Sequence, residues 1–442
     1  MTRQGPTNGA IGTERHDRYD RGPDIGGGRG AARNVDPERF RGEAGAAMLG
    51  ARMRPVPITA LSLCNGMGMT TAEILEALRA GRSGLGPCPP EIGLTTPATV
   101  GAVRGGLPPL PARFAAHDTR LTRIAARALA ELEGPLARAR ARWGRDRVAV
   151  LLGTSTGGIG ESELAYAHHH QHGALPGGYS VETSHALDAI LPVVCGLADL
   201  AGPAYVLSTA CSSSAKVFAA AQRLIHLGVC DAALVGGVDS LCQLTVRGFA
   251  GLEVLSAAPC RPFSSERAGI NIGEGAALCL LEREGEGLAR LLAVGESSDA
   301  FHMTSPHPDG LGARMAMERA LIAAGLRPDE VDHINVHGTG TKQNDSAEGA
   351  AIASLFGAGM RVVATKGYTG HQLGAAGATE VAFTVLAIQH GFLPASVGAA
   401  PVDQEIAVRV TTEHTVMRTR AAISNSFAFG GSNVSVLVGA ST

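Results

Sequence analysis

Aromatic side chains are scarce in this chain: phenylalanine, tryptophan and tyrosine make up 4% of its 442 residues, and tryptophan occurs once. Positive charge is not in excess, with 38 lysines and arginines against 40 aspartates and glutamates and a formal net charge of −2. That balance leaves no basic footprint for nucleic acid. No apolar run reaches about 18 residues without a charge or a turn breaker, so nothing reads as a membrane span. The N-terminus lacks the apolar core that marks a secretory signal. The eight cysteines (64, 88, 195, 211, 230, 242, 260, 279) include no C-x-x-C pair. In a chain this long, that favours reduced thiols in the cytoplasm over a disulfide framework or a zinc site. What is abundant is apolar and small: 45% hydrophobic residues and 59 glycines. Such a composition suits an Ala/Gly-rich α/β enzyme better than an all-β or fibrous protein.

Residues 1–54 stand apart, rich in Arg, Gly, Asp and Glu, poor in apolar residues, and of low complexity from Ile25 to Arg33. They read as a disordered tail, and Met48 and Met53 just ahead of the first strand-like run allow a later native start. From Pro55 the pattern alternates. Residues 57–63 read as a strand, 72–80 as a helix, 119–143 as one helix with arginines on its wet face, and 147–153 as a strand. That strand runs into a Gly-rich turn, Thr154 to Gly160, which has neither a GxGxxG nor a Walker pattern and so makes a poor phosphate cradle. The histidines at 168, 169, 170 and 172 have no supporting carboxylate or cysteine pattern, and no metal site is expected there.

The stretch from Pro203 to Gly228 organises the rest. Ala204 to Leu207, bounded by Gly202-Pro203, reads as a buried strand; Ser208 to Ser214 is small and polar; an Ala-rich helix follows, with Gly228 placed as its C-cap. Cys211 then falls on a tight turn at a helix N-terminus, a setting that lowers a thiol's pKa. A modest shift of that kind is the expectation. The second half echoes the order: a strand from Val362, a small loop carrying His371, a helix from Ala375 to His390, and Gly391 as the stop. His337 lies on another strand-end loop, and Asn425 to Asn433 is Gly-rich. The echo suggests an internal duplication, with halves at 55–285 and 286–442 and α/β layers around central sheets.

One cysteine and two histidines on Gly/Thr-rich turns are the equipment for thioester chemistry, a soft nucleophile taking an acyl group while imidazoles steady developing negative charge. The motifs are Thr209-Ala-Cys-Ser-Ser-Ser, His337-Gly-Thr-Gly-Thr, Lys366 to Gly377, and Asn425 to Asn433. Arg261-Pro-Phe, Gly273-Glu-Gly and Asp299-Ala-Phe-His-Met-Thr-Ser-Pro support them. Over about residues 55–440 the chain resembles the β-ketoacyl-acyl carrier protein synthases of the thiolase fold. The resemblance implies an α/β fold of two similar halves in an α-β-α-β-α core.

It also implies roles. Cys211 would be acylated from a carrier-protein thioester, with the backbone N–H groups of Cys211 and Phe429 as oxyanion hole. His337 and His371 would hold the malonyl thioester carbonyl during decarboxylation. The resulting enolate would attack the acyl-Cys to give a 3-oxoacyl product. Lys366 would pair with Glu348, and Thr339 and Thr341 would hydrogen-bond the phosphopantetheine arm. Thr156, with Phe429, would line the acyl pocket. No resident cofactor or metal is implied; the partners would be an acyl carrier protein and a second synthase-like subunit, in a homodimer or heterodimer, with no nucleic acid and no membrane.

This sequence departs from the family in places. Ser264 replaces an aspartate after Arg-Pro-Phe, so a local salt link would be lost. Ala428 replaces the first glycine of the Gly-Phe-Gly-Gly gate, and the 161–181 segment is short. With the Lys-Gly-Tyr-Thr-Gly-His wording, these point to a specialised polyketide or aryl-polyene synthase rather than housekeeping fatty-acid synthesis. The rival readings are a thiolase or hydroxymethylglutaryl synthase using coenzyme A, a non-condensing chain-length-factor-like subunit, and a Cys-His hydrolase. The histidine in place of a second cysteine argues against the first, the intact nucleophile against the second, and the paired histidines against the third.

Overall fold

The computed structural model describes residues 53–441; of the expected tail, all but residues 53 and 54 lies outside them. The strands fall into two runs along the chain. The first is β1 (Val56–Asn65), β2 (Val148–Gly153), β3 (Ala204–Leu207), β4 (Ala232–Asp239) and β5 (Gly275–Glu282). The second is β6 (Ala289–Ser298), β7 (His333–Val336), β8 (Arg361–Ala364), β9 (Arg409–Val410), β10 (Ala421–Phe427) and β11 (Ser432–Ala440). All eleven join in one sheet, in the order β9-β8-β7-β10-β11-β6-β1-β5-β4-β2-β3.

Outward from the β1–β6 seam the two runs repeat one plan. The orders β1-β5-β4-β2-β3 and β6-β11-β10-β7-β8 each begin with antiparallel pairings and finish with parallel ones. The antiparallel seam is short: Val56 faces Leu291, Pro57 faces Arg290, and Ile58 faces Ala289. β2 and β4 are buried at every position, as parallel strands covered on both faces must be, which is why they read as unbroken apolar runs.

The helices that matter for the site are α1 (Arg120–Ala130), α2 (Glu133–Trp143), α3 (Ser213–His226), α4 (Leu311–Ala324), α5 (Lys342–Phe356) and α6 (Ala376–His390). α3 and α6 pack on each other and on strands of both half-sheets, so they form the middle layer. Phe218 and Phe383 from these helices share one apolar core with Leu281 and Val436 of the two half-sheets. α1 and α2 cover the outside of the first half, α4 and α5 that of the second. The result is the α-β-α-β-α layering expected.

The single helix expected over 119–143 is two. Thr119 caps α1, and Pro135 lies in the first turn of α2. A proline there has no N–H to give Glu131, and its ring would strike that carbonyl, so the first helix stops before it.

Candidate active site

β3 ends at Leu207 and α3 begins at Ser213, so the chain reverses within a short polar turn. Ala210 takes a left-handed φ of +51°, a conformation that costs a side-chain-bearing residue about 1–3 kcal/mol. Hydrogen bonds from the neighbouring hydroxyls hold it there. Ser213 Oγ donates to the Ala210 carbonyl at 2.6 Å, Ser155 Oγ to the same carbonyl at 3.1 Å, and the Thr209 N–H donates to Ser213 Oγ at 2.9 Å. Cys211 follows, buried at the mouth of α3. Two glycines let other elements close on that helix start. A Cβ on Gly153 of β2 would lie 2.3 Å from Ser214 N, and one on Gly377 of α6 would lie 2.8 Å from Ala215 N.

His337 leaves the end of β7, and His371 follows the one-turn helix Lys366–Thr369 after β8. Their rings meet edge to face, with centroids 5.2 Å apart at 86°. Lys366 sits beneath them, fully buried. Its Nζ donates to Glu380 Oε1 at 2.6 Å, to the His337 carbonyl, and to His337 Nδ1 at 3.3 Å. An ammonium only donates, so Nδ1 of His337 is the acceptor and the ring proton sits on Nε2. Neither ring nitrogen of His371 has a partner among the described residues.

The expected Lys366–Glu348 pair is not formed. Glu348 instead accepts from the backbone N–H groups of His337 and Gly338 at 2.8 and 2.9 Å and from Asn425 Nδ2 at 3.1 Å. The cation's partner is Glu380, one turn into α6, because that helix packs directly behind the lysine. Glu348 thus shapes the histidine loop through its backbone, without a charge partner among the described residues.

Burial governs the protonation states. It pushes the Cys211 thiol up to about 11, although Lys366 and the backbone N–H groups of Phe429 and Cys211 pull it down. The lowered thiol pKa expected from the helix start is therefore reversed: removing the thiolate from water outweighs the favourable donors. Burial and the Lys366 charge hold His337 and His371 well below the usual imidazole range, so both are neutral at pH 7. Burial pushes both Glu348 and Glu380 up to about 7, the latter against the pull of Lys366.

Cys211, His337 and His371 border one cavity of about 80 Å³, with Thr339, Thr341 and Phe429 on the same lining. The hydroxyls of Thr339 and Thr341 face each other at 2.9 Å. Phe249, Val254, Ile270 and Phe427 supply an apolar wall that sequence reasoning missed; the Phe249 ring packs 5.7 Å from that of Phe429. Thr156 does not border this cavity. It is wholly buried, and its hydroxyl donates to Asp239 Oδ1 at 2.7 Å, since a hydroxyl turned into the core must find an acceptor.

The departures have local explanations. Ser264 donates to the Pro401 carbonyl at 3.0 Å, while Arg267 pairs with Asp403 at 2.5 Å, so a salt link persists with a different acid. Ala428 is extended, with φ −110° and ψ 151°, a conformation open to any residue. The left-handed backbone falls on Gly430 and Gly431, φ +80° and +79°. The histidine run ends the helix Ile159–His172. Among the described residues no three His, Cys, Asp or Glu side chains converge as a metal set.

Comparison with known proteins gives two adjoining family matches: the N-terminal domain of beta-ketoacyl synthase over residues 53–286 and its C-terminal domain over 288–400. The 3-oxoacyl-acyl-carrier-protein synthase 2 of Mycobacterium tuberculosis is 40% identical over 248 residues, which cover 52% of this chain. The chain spans about 60% of the length of that relative. Nodulation protein E of Rhizobium meliloti is 32% identical over 398 residues, 86% of this chain and 98% of that protein. Among solved structures, a chain from a ketosynthase in complex with its chain length factor, from Xenorhabdus doucetiae, matches with a TM-score of 0.83 and 37% identity. That match covers 88% of this chain and 98% of the other. A chain described as the ishigamide ketosynthase/chain length factor matches at 0.81 and 27% identity, covering 88% of this chain and 100% of its own.

Proposed function

The chain belongs to the beta-ketoacyl synthase family, and on that premise we propose that it condenses acyl and malonyl thioesters carried on an acyl carrier protein. The observation that carries the proposal is the single cavity bordered by a helix-start cysteine and two neutral, edge-to-face imidazoles. In the first step the Cys211 sulfur attacks the acyl thioester carbonyl. The backbone N–H groups of Phe429 and Cys211, which already lie against the thiol, receive the oxyanion. The carbon–sulfur bond to the carrier breaks, and the carrier thiol leaves with the proton that Cys211 gives up. With the resting thiol protonated, that proton has to move during attack, and His371, neutral and unpartnered, is the neighbouring base available to relay it.

In the second step a malonyl thioester enters. Its carboxylate leaves as CO₂, and the electron pair of the broken C–C bond becomes an enolate. The Nε2–H of His337, fixed by Lys366 on the far side of the ring, is aimed to donate to that oxygen, and His371 is the second donor. The enolate carbon then bonds to the acyl carbonyl, the Cys211 carbon–sulfur bond breaks, the 3-oxoacyl product departs on the carrier, and the Cys211 thiolate left behind takes a proton from water to restore the resting thiol. Thr339 and Thr341 line the route for the phosphopantetheine arm. The reaction calls for no resident cofactor.

Within this class we place the chain in a specialised polyketide or aryl-polyene pathway, in the cytoplasm, as a homodimer or paired with a related subunit. The likeness to chains from ketosynthase–chain length factor complexes supports the pathway and the related subunit. A non-condensing subunit would have no use for Cys211 and two neutral histidines. Intact-mass analysis after exposure to a panel of acyl carrier proteins tests the whole reading. The wild-type chain gains one acyl group, and Cys211→Ala gains none while still decarboxylating malonyl carrier protein. Acylation of Cys211→Ala would remove the nucleophile assignment. A preference for saturated medium chains over unsaturated or aromatic primers would remove the pathway.

A further inference from the structure

We propose that Asp239 is a positioning residue that locks the Cys211 turn and the His371 turn to one another across the two halves of the sheet. The proposal rests on the condensing-enzyme reading of those two side chains. Asp239 ends β4, is fully buried, and pairs with no cation among the described residues. Its carboxylate is satisfied by neutral donors alone. Oδ1 accepts from Thr154 Oγ1 at 2.7 Å, Ser155 N at 2.8 Å, Thr156 N at 2.8 Å and Thr156 Oγ1 at 2.7 Å. Oδ2 accepts from Ala375 N at 2.9 Å.

These two oxygens reach different halves of the molecule. On one side, the turn held by Oδ1 includes Ser155, whose hydroxyl donates to the Ala210 carbonyl at 3.1 Å, the peptide that leads into Cys211. On the other, Oδ2 holds the short turn Leu373–Ala375 that carries the chain from His371 into α6. Both turns contain a strained residue: Ala210, next to Cys211, has φ +51°, and Leu373, two after His371, has φ +50°. Side-chain-bearing residues keep such conformations only where their surroundings over-determine them. Asp239 is bonded to the second turn directly and to the first through one serine. Position 374 is fitted to it as well, since a Cβ on Gly374 would come within 2.8 Å of Oδ2.

A carboxylate is the group that suits such a clamp: burial raises the Asp239 pKa, and the hydrogen bonds from Thr154, Thr156 and Ser155 pull it back. Five donors converge on two oxygens, and an asparagine presents only one acceptor oxygen, so it must give up one of the two turns. Burying that charge is costly, a cost that a purely structural link between apolar layers would not incur. The charge also lies close enough to Cys211 to push its thiol upward, which provides a readout separate from geometry.

The experiment uses the full chain and the acyl-carrier substrate that loads wild type fastest. Asp239→Asn, checked for a native circular-dichroism spectrum, loses about 100-fold in both Cys211 acylation and condensation at saturating substrate, the scale of a misplacement near 1 Å. Its Cys211 reacts with iodoacetamide at pH 8 at least as fast as in wild type, because a nearby negative charge is gone. Ser155→Ala, which cuts only the Cys211 branch, slows acylation about tenfold and leaves malonyl decarboxylation unchanged. This second variant decides the matter if Asp239→Asn does not fold. Asp239→Asn within threefold of wild type, or Ser155→Ala equal to wild type in acylation, overturns the proposal. A wild-type chain that never acquires an acyl group overturns the condensing-enzyme reading and this proposal together, a result distinguishable from failure of the clamp alone.

Discussion

The turn that carries Cys211 and the turn that carries His371 occupy matching places in the two half-sheets, after β3 and after β8, yet they are built on opposite principles. The cysteine turn hangs from Ala204–Leu207, which is not the buried strand expected but the sheet's edge strand, partly open to solvent because no strand among the described residues covers its outer side. Serine and threonine hydroxyls hold the turn. It contains no charged side chain. The histidine turn lies in the interior, ahead of a helix whose residues are buried from Ala376 to Ile388, and it contains a buried ion pair, Lys366 with Glu380. Both turns hold a left-handed residue and both reach Asp239, but the first adds only neutral hydrogen bonds and the second adds a cation in a dry layer. The cation acts on both: it pulls the thiol down against the stronger push of burial, and it adds to burial, the larger cause, in holding the two imidazoles neutral. Matching topology therefore fixes where reacting groups stand, while the placement of one charge fixes what each can do.

Removing that charge breaks the contrast most severely. Lys366→Met leaves Glu380 buried and unpaired, and about 3–5 kcal/mol of stability is lost, read from the denaturant midpoint. The double variant Lys366→Met/Glu380→Gln recovers most of that stability but not condensation, because His337 Nδ1 has lost its donor. Its imidazole pKa values move up, since the cation that depressed them is gone; histidine ring resonances followed from pH 5 to 8 report that shift.

A pH profile sharpens the contrast with an intermediate effect. Alkylation of Cys211 by iodoacetamide rises about tenfold per pH unit from 7 to 9 without a plateau, as a thiol held near 11 requires. A plateau near pH 8 would mean that the helix start, rather than burial, governs the thiol. The smallest effect belongs to the gate. Ala428→Gly changes stability by less than about 1 kcal/mol and acylation by less than about twofold, because Ala428 is already extended. A large change in either would show that the gate visits a backbone state closed to alanine.

The cysteine turn was legible because everything that defines it is local: Gly202-Pro203, four apolar residues, a run of small polar ones, then an Ala-rich helix. The histidine turn was legible as a place but not as a circuit. Lys366 finds Glu380 only because α6 packs behind it, and that packing is tertiary. The available clue was a lone carboxylate in the apolar run from Ala376 to Ile388. The thiol's protonation failed for the same reason, since the helix start is visible in sequence and the depth of burial is not. Thr156 lies on the predicted turn but points into the core, because its acceptor, Asp239, ends an apolar strand far away in sequence. The break before Pro135 was within reach of the residues themselves.

The two glycines that let β2 and α6 close on the start of α3 also decide where this protein is free to vary over generations. Even a methyl group at Gly153 or Gly377 presses on Ser214 or Ala215 and through them on the thiol. Heritable change at the reacting centre is thus shut off at its smallest possible step. The cavity's apolar wall is different in kind: Phe249 and Val254 are only partly buried side chains, so size can change there in steps that the two glycines do not permit.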